Sequence, residues 1–305
     1  MSLPVEHHAS GPSDGPLYIS DDTVRALVDE QFPWLKDREL GRRYTLEDHF
    51  AMRIGDDYGA VFPRVAAYAE LYGRVTDLIA GPSKSWTFPA STPLATGKPG
   101  HGFPWQWIVV EWVSSSTAAF VPLRDDAAVP FGRALREIHT PAPLGAPGNP
   151  RTNVSLDARI GRFEALVARV KNRVGPENRV MDAASLVARF VDRAAEPIDI
   201  PPTWTHGRIE PRSVCSDQGA FRGLLLWHNF GAGDPAADLG CALNIVPAHL
   251  QDRFWAGYGY ASPGTMRRAQ AYQLFAALRY IEIDDPYLLR MAWERLIELD
   301  LAHEA

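Results

Sequence analysis

The sequence predicts an α+β chain of two lobes, a small antiparallel-sheet lobe followed by a larger helical one. Three observations carry this. Residues 41–64 read as short β-type runs around a Gly55-Asp56-Asp57 turn, and beyond about residue 125 apolar residues recur at helical spacing. The third is length: 305 residues leave room for two lobes of ~150 residues each.

Taken in order, residues 1–17 are polar and rich in Gly, Pro, Ser and His, and read as a flexible tail. His7 and His8 lie there without a third ligand and are expected to be solvated rather than metal-bound. Ser20 offers an N-cap for a helix whose Val24, Leu27, Val28 and Phe32 share a face, and Pro33 ends it. RRYTLEDHFAMRI and YGAVFPRV supply strands on either side of the turn. A second helix is expected over 66–80. After a Gly- and Pro-rich stretch near 94–104, Ile108, Val109 and Val110 suit a buried strand. A hinge near 111–116 separates lobes at 18–112 and 113–305. Helices are expected at 125–139, 155–173, 181–194, 248–259 and 263–299, the last broken near Asp284-Asp285-Pro286. Between the third and fourth, SVCSD and FRGLLLW form a hairpin across Gln218-Gly219.

Composition removes several classes of function. The chain carries 31 basic and 37 acidic side chains, a formal charge of −6, so it lacks the basic excess of a nucleic-acid binder. Its two cysteines, Cys215 and Cys241, are too few for a disulfide scaffold, and both read as buried spectators. No apolar leader opens the sequence, and the apolar stretch 105–113 is interrupted by Gln106 and Glu111. The reading is therefore cytoplasmic, with neither membrane nor nucleic acid as partner.

One segment carries the chemistry. His206-Gly207-Arg208-Ile209-Glu210-Pro211 is followed by Leu224-Leu225-Leu226-Trp227, then by Gly233-Asp234-Pro235-Ala236-Ala237-Asp238-Leu239. In this order the pieces resemble the aminoglycoside phosphotransferase family, whose segment reads HGDxHPxN, then IDW, then GDPxxDL. Residues 102–107, 148–151 and 254–258 extend the resemblance to roughly 19–300. It implies a protein-kinase-like fold with a small antiparallel-sheet N-lobe and a helical C-lobe, in one bilobal unit. The family it implies phosphorylates small hydroxylated molecules with ATP and magnesium.

The same resemblance shows what is missing. The proton-accepting Asp falls on Arg208, the metal-binding Asn on Ser213 and the second metal Asp on Leu226. The phosphate-contacting cation falls at or next to Val61, with Glu70 as its helix partner, and TLEDHF lacks the glycines of a phosphate-covering turn. Arg64 is either a displaced phosphate contact or a solvated side chain. An arginine cannot accept a proton, and leucine cannot ligate magnesium. Conventional phosphoryl transfer is therefore not expected, and no cofactor or metal is.

Two readings stay open for the polar residues that remain. In one, the site is rebuilt: Arg208 and Arg212 hold an anion while His228 or Glu210 moves a proton, with His206, Ser213, Asn229 and Asp234 binding around them. In the other, His206 bonds backbone, Asp234 and Asp238 brace the loop and cap the next helix, and Glu210 pairs with Arg212 on the surface. The function that follows first is a pseudokinase binding a small anionic metabolite, a peptide or a partner enzyme in the cleft between lobes. The alternatives are a repurposed lyase- or cyclase-type enzyme, acting on a natural-product intermediate through Arg208, Glu210 and His228, and a residual ATP-dependent phosphotransferase.

Overall fold

A computed structural model describes residues 16–46, 48–152 and 154–305. The expected tail lies outside the described residues up to residue 15, with His7 and His8. The chain divides into two compact units. The first comprises the described residues through Ser85, Pro89–Ser114 and Leu225–Asn229; the second comprises Trp86–Phe88, Ser115–Leu224 and Phe230–Ala305.

The first unit opens with α1 (Asp21–Gln31), whose Ser20 side chain accepts from the Thr23 N–H and whose Asp21 and Asp22 suit the positive end of the helix. Its sheet is antiparallel throughout, from β1 (Leu40–Thr45), β2 (His49–Ile54), β3 (Tyr58–Pro63), β4 (Pro93–Gly97) and β5 (Trp107–Glu111), in the order β1-β2-β3-β5-β4. Strand alternation puts Phe50, Met52, Ile54, Ala60, Phe62, Trp107 and Val109 into one core with Val24, Leu27 and Val28 of α1. Each large apolar side chain buried there contributes roughly 1.5–3 kcal/mol. The opposite face carries α2 (Ala66–Ile79), tied to β4 by the hydrogen bond from Thr96 Oγ1 to Thr76 Oγ1 at 2.8 Å. Gly59 lets β3 pass under Trp112, since a Cβ there would lie 2.5 Å from the indole.

The second unit follows with β6 (Ser116–Thr117), α3 (Ala128–Ile138), α4 (Ile160–Val170), β7 (Arg179–Met181) and α5 (Ala183–Ala194). Next come β8 (Thr203–Thr205), the hairpin β9 (Val214–Asp217) and β10 (Ala220–Leu224), and β11 (Gly231–Gly233). It closes with α6 (Ala236–Ile245), α7 (Gln251–Tyr258), α8 (Pro263–Ile283), α9 (Pro286–Glu298) and β12 (Ala302–Glu304). The axis is α8, which contributes Leu274, Ala277, Leu278 and Ile281 to a core shared with Phe163 of α4, Phe190 of α5 and Trp293 of α9. On another side α6 meets α8 backbone to backbone: a Cβ on Gly240 would lie 2.2 Å from the Ala269 carbonyl oxygen. No helix among the described residues is long and apolar enough to cross a membrane.

Helices lie where apolar spacing puts them, but their ends are shorter. A 3-10 turn at Asp157–Arg159 precedes α4, and another at Ala248–Leu250 precedes α7. The break after α8 is made by Asp284 at φ +63° and by Asp285, whose side chain accepts from the Tyr287 and Leu288 N–H groups. Gln218 and Gly219, both at positive φ, turn the hairpin. One expectation is corrected. The strand expected to run through 224–228 ends at Leu224; Leu226 turns to φ +68°, and Trp227–Asn229 form a 3-10 turn. The two- and three-residue strands β6, β7, β8, β11 and β12 escape the sequence reading because so short a run has no periodicity to detect.

Candidate functional site

The loop at residues 206–213 leaves β8 and returns into β9. Its start is gripped from α6: Asp238 accepts from the His206 N–H at 2.7 Å through Oδ2 and from the Gly207 N–H at 2.9 Å through Oδ1. Within the loop, the Arg208 N–H donates to His206 Nδ1 at 3.1 Å. Behind Asp238 stands His139, at the end of α3, with Nε2 at 3.2 Å from Asp238 Oδ2 and Nδ1 at 3.0 Å from the Tyr258 hydroxyl. A carboxylate only accepts, so His139 Nε2–H donates to Asp238, while Nδ1 shares a hydrogen bond with the Tyr258 hydroxyl. Burial pushes the Tyr258 phenol well up, so the hydroxyl keeps its proton. Burial alone would also raise the Asp238 carboxyl. The hydrogen bond and charge of His139, the neighbouring His206 and the Gly207 N–H outweigh it and hold Asp238 below the usual carboxylate range.

Asp234 works one turn earlier. It accepts from the Ala236 N–H at the start of α6 and takes both Nε (2.8 Å) and Nη2 (3.3 Å) of Arg268 from α8. Arg268 is fully buried and also donates to the Pro197 carbonyl and to Asp199. From the other side Asn149 donates to Thr205 Oγ1, and Arg151 Nη1 donates to the Gly207 carbonyl at 3.3 Å.

At the tip of the loop, Arg208 Nε pairs with Glu210 Oε1 at 3.0 Å, and the Arg208 side chain is only 9% exposed. Arg212 pairs with Asp285 at 2.7 Å. The expected Glu210–Arg212 surface pair is thus corrected: each takes another partner, because Glu210 turns back toward Arg208 and Arg212 reaches the cap of α9. Both arginines proposed as anion holders already carry a carboxylate. Ser213 is buried; its hydroxyl donates to the Glu210 carbonyl and accepts from the Glu210 N–H, both at 3.0 Å.

The remaining sequence candidates belong to the first unit. Val61 pairs with Ala51 and Ile108, on the sheet face that carries α2. Glu70 is exposed on α2, whose buried side chains are Tyr68, Ala69, Tyr72, Val75 and Ile79. Arg64 is half-buried rather than solvated: Nε donates to the Leu17 carbonyl at 3.2 Å and Nη1 to the Leu46 carbonyl. His228 and Asn229 are buried in the 3-10 turn, with the His228 ring stacked on Tyr72 at 5.0 Å.

Sequence reasoning missed a group beside them. Asp48 Oδ1 lies 2.9 Å from His49 Nδ1, both side chains are buried, and the His49 and His228 rings stand 5.9 Å apart. His49 Nε2 is buried without a hydrogen-bond partner among the described residues. An Asp fixing one imidazole nitrogen leaves the other aimed, the orienting half of an acid–base pair. Its only sequence signal is the Asp-His dipeptide at the head of β2. Both thiols, by contrast, are held back by burial, which pushes Cys215 and Cys241 up to about 12.

The family's magnesium does not fit these residues. Arg208 offers a cation, Leu226 offers no donor atom, and the Ser213 hydroxyl is engaged twice within its own loop. No group of three or more His, Cys, Asp or Glu side chains among the described residues can hold a metal ion.

An antiparallel five-stranded lobe with a helical lobe that presents this loop ahead of α6 defines a bilobal, protein-kinase-like α+β fold. The chain belongs to the phosphotransferase enzyme family, designated APH, whose pattern it matches over residues 38–272. Among solved structures it is similar to an aminoglycoside 2'-phosphotransferase in complex with GDP, at 16% identity and a TM-score of 0.58, over 92% of this chain and 97% of that one. A macrolide 2'-phosphotransferase from Brachybacterium faecium matches at 16% identity and a TM-score of 0.56, covering 89% and 96%. An aminoglycoside phosphotransferase from Streptomyces rimosus matches at 18% and 0.54, covering 90% and 100%. No curated protein sequence matches significantly.

Proposed function

We propose that this family member is a pseudokinase, a cytoplasmic protein that binds a small anionic metabolite, a peptide or a partner enzyme and does not transfer phosphate. The observation that carries this is the Arg208–Glu210 ion pair. It fills the loop position where the resemblance places the proton-accepting carboxylate, and Arg208 holds a proton permanently. With the Arg208 side chain 9% and the Glu210 side chain 23% exposed, removing Glu210 would leave a poorly solvated cation at the tip of the loop. A positioned base is worth ~10² to 10⁴ in rate, and its loss comes together with two metal ligands. In this reading Mg·ATP leaves the thermal midpoint unchanged, whereas a ligand at ~100 times its Kd would stabilise by about 2.7 kcal/mol. A rise of several degrees that a chelator reverses overturns it. The triple variant Arg208→Asp, Ser213→Asn, Leu226→Asp should gain metal-dependent nucleotide binding that the parent lacks.

The Asp48–His49 pair beside His228 favours one second reading, a repurposed acid–base enzyme of the lyase or cyclase type. It predicts ATP-independent turnover that falls by at least ~10² in His49→Ala and in His228→Ala. Turnover unchanged in both variants removes it.

A further inference from the structure

One face of α4 is a row of arginines. Arg162 and Arg169 are seven residues apart, two helical turns, and therefore stand on the same side of the helix. That side meets α8. The Arg162 guanidinium lies 5.8 Å from the centre of the Phe275 ring, and Arg169 Nε lies 2.6 Å from Glu282 Oε1. Arg279, one turn before Glu282 on α8, binds the other oxygen of the same carboxylate. Arg151, whose Nη1 reaches the Gly207 carbonyl, lies close enough to act electrostatically on Arg279.

The charges do not balance. Four guanidiniums, from Arg151, Arg162, Arg169 and Arg279, converge on a seam where Glu282 is the one carboxylate that binds any of them. Neither Arg151 nor Arg162 has a carboxylate within ion-pair distance among the described residues, and Arg279 Nε is buried with no hydrogen-bond partner there. The seam is graded in depth: the Arg279 side chain is 11% exposed and Arg169 is 52% exposed. Burial, opposed by Glu282, lowers Arg279 from its ordinary value, and the nearby charges of Arg162, Arg169 and Arg151 add smaller pushes in the same direction. In a chain of net charge −6, such crowding is a local reversal of sign.

We propose that the α4–α8 seam is a binding site for a small multivalent oxyanion, a molecule bearing two or more phosphoryl or carboxylate groups. Arg279 forms the floor, Arg162 and Arg169 the outer rim, and Arg151 the side nearest the loop. Guanidinium forks match planar and tetrahedral oxyanions through paired hydrogen bonds, and a ligand with at least two charges neutralises what Glu282 leaves over. The site stands whether or not the loop around Arg208 is inert.

The test is calorimetric titration of the full chain at low ionic strength with inorganic pyrophosphate and, separately, with citrate. Saturable binding is expected for at least one probe. Pyrophosphate alone assigns phosphoryl chemistry, citrate alone assigns carboxylate chemistry, and both together assign recognition by charge. Arg162→Gln with Arg169→Gln should weaken Kd by about tenfold or more, Glu282→Gln should tighten it, and Arg290→Gln on α9 should leave it unchanged. Arg162 is exposed and makes no hydrogen bond among the described residues, so the single variant Arg162→Gln serves if the double variant fails to fold. The proposal is overturned by no saturable heat up to about 10 mM of either probe, by equal affinity in the Arg162 variants, or by an equal loss in Arg290→Gln. A Mg·ATP-dependent shift in the same protein would instead overturn the pseudokinase reading and leave this site standing.

Discussion

At the scale of single residues, one backbone angle and one ion pair bear on stability. Leu226 sits at φ +68°, a conformation that costs an L-residue with a Cβ roughly 1–2 kcal/mol and that Asn and Asp tolerate best. The turn suits a short polar residue, and a leucine occupies it. Leu226→Asn should therefore be neutral or stabilising by about 0.5–1 kcal/mol in urea denaturation, despite the lost methyl groups. A loss above about 1 kcal/mol would show that packing of the half-buried leucine outweighs its strain. The charge of Arg208 is answered two residues later by Glu210, within the loop.

At the scale of elements, the start of the loop at 206–213 is held by Asp238 of α6, while Asp234 ties the start of α6 to Arg268 of α8. The depressed Asp238 carboxyl makes this support depend on pH, and its sign is fixed. The folded pKa lies below the unfolded value of about 3.9, so the stabilisation is fully present above that value and is lost as pH falls through the folded one. Asp199, held low first by its hydrogen bond to Ser262 and further by Arg268, against some opposing burial, acts in the same direction. Stability should be flat from neutral pH to about 4–5 and fall below it. Asp238→Asn should be less stable at pH 7 and show a shallower acid decline, measured by urea titration at both ends of the range. A parent-like slope in that variant would remove Asp238 as the source.

At the scale of the whole molecule, legibility followed periodicity. The helices and the β2–β3 hairpin were readable because their apolar residues repeat over enough positions to define a face, as in Val24-Leu27-Val28 or Phe50-Met52-Ile54. The loop was readable from its motif, whereas the strand expected through Leu226 was not: it ends at Leu224 and a 3-10 turn follows. Partner choice was not. Glu210 pairing with Arg208, Arg212 with Asp285 and Arg64 with two carbonyls depend on elements that sequence spacing cannot bring together. Asp48–His49 stayed hidden because a dipeptide has no period, and its burial depends on α2 and on the turn at Trp227–Asn229. The arginine row on α4 was not read from the sequence, because its meaning depends on the facing side of α8.

The helix α8 joins two of these findings in one rigid object. Its early turns supply Arg268 to Asp234 at the start of α6; its last turns supply Arg279 and Glu282 to the seam. Eleven residues separate Arg268 from Arg279, a span of about 16 Å along a continuous helix. The helix therefore acts as a strut with one end on the start of α6 and the other under the arginines. Anything that stiffens the seam should be felt as slower amide hydrogen exchange at His206 and Gly207, whose N–H groups hang from Asp238 beside that strut.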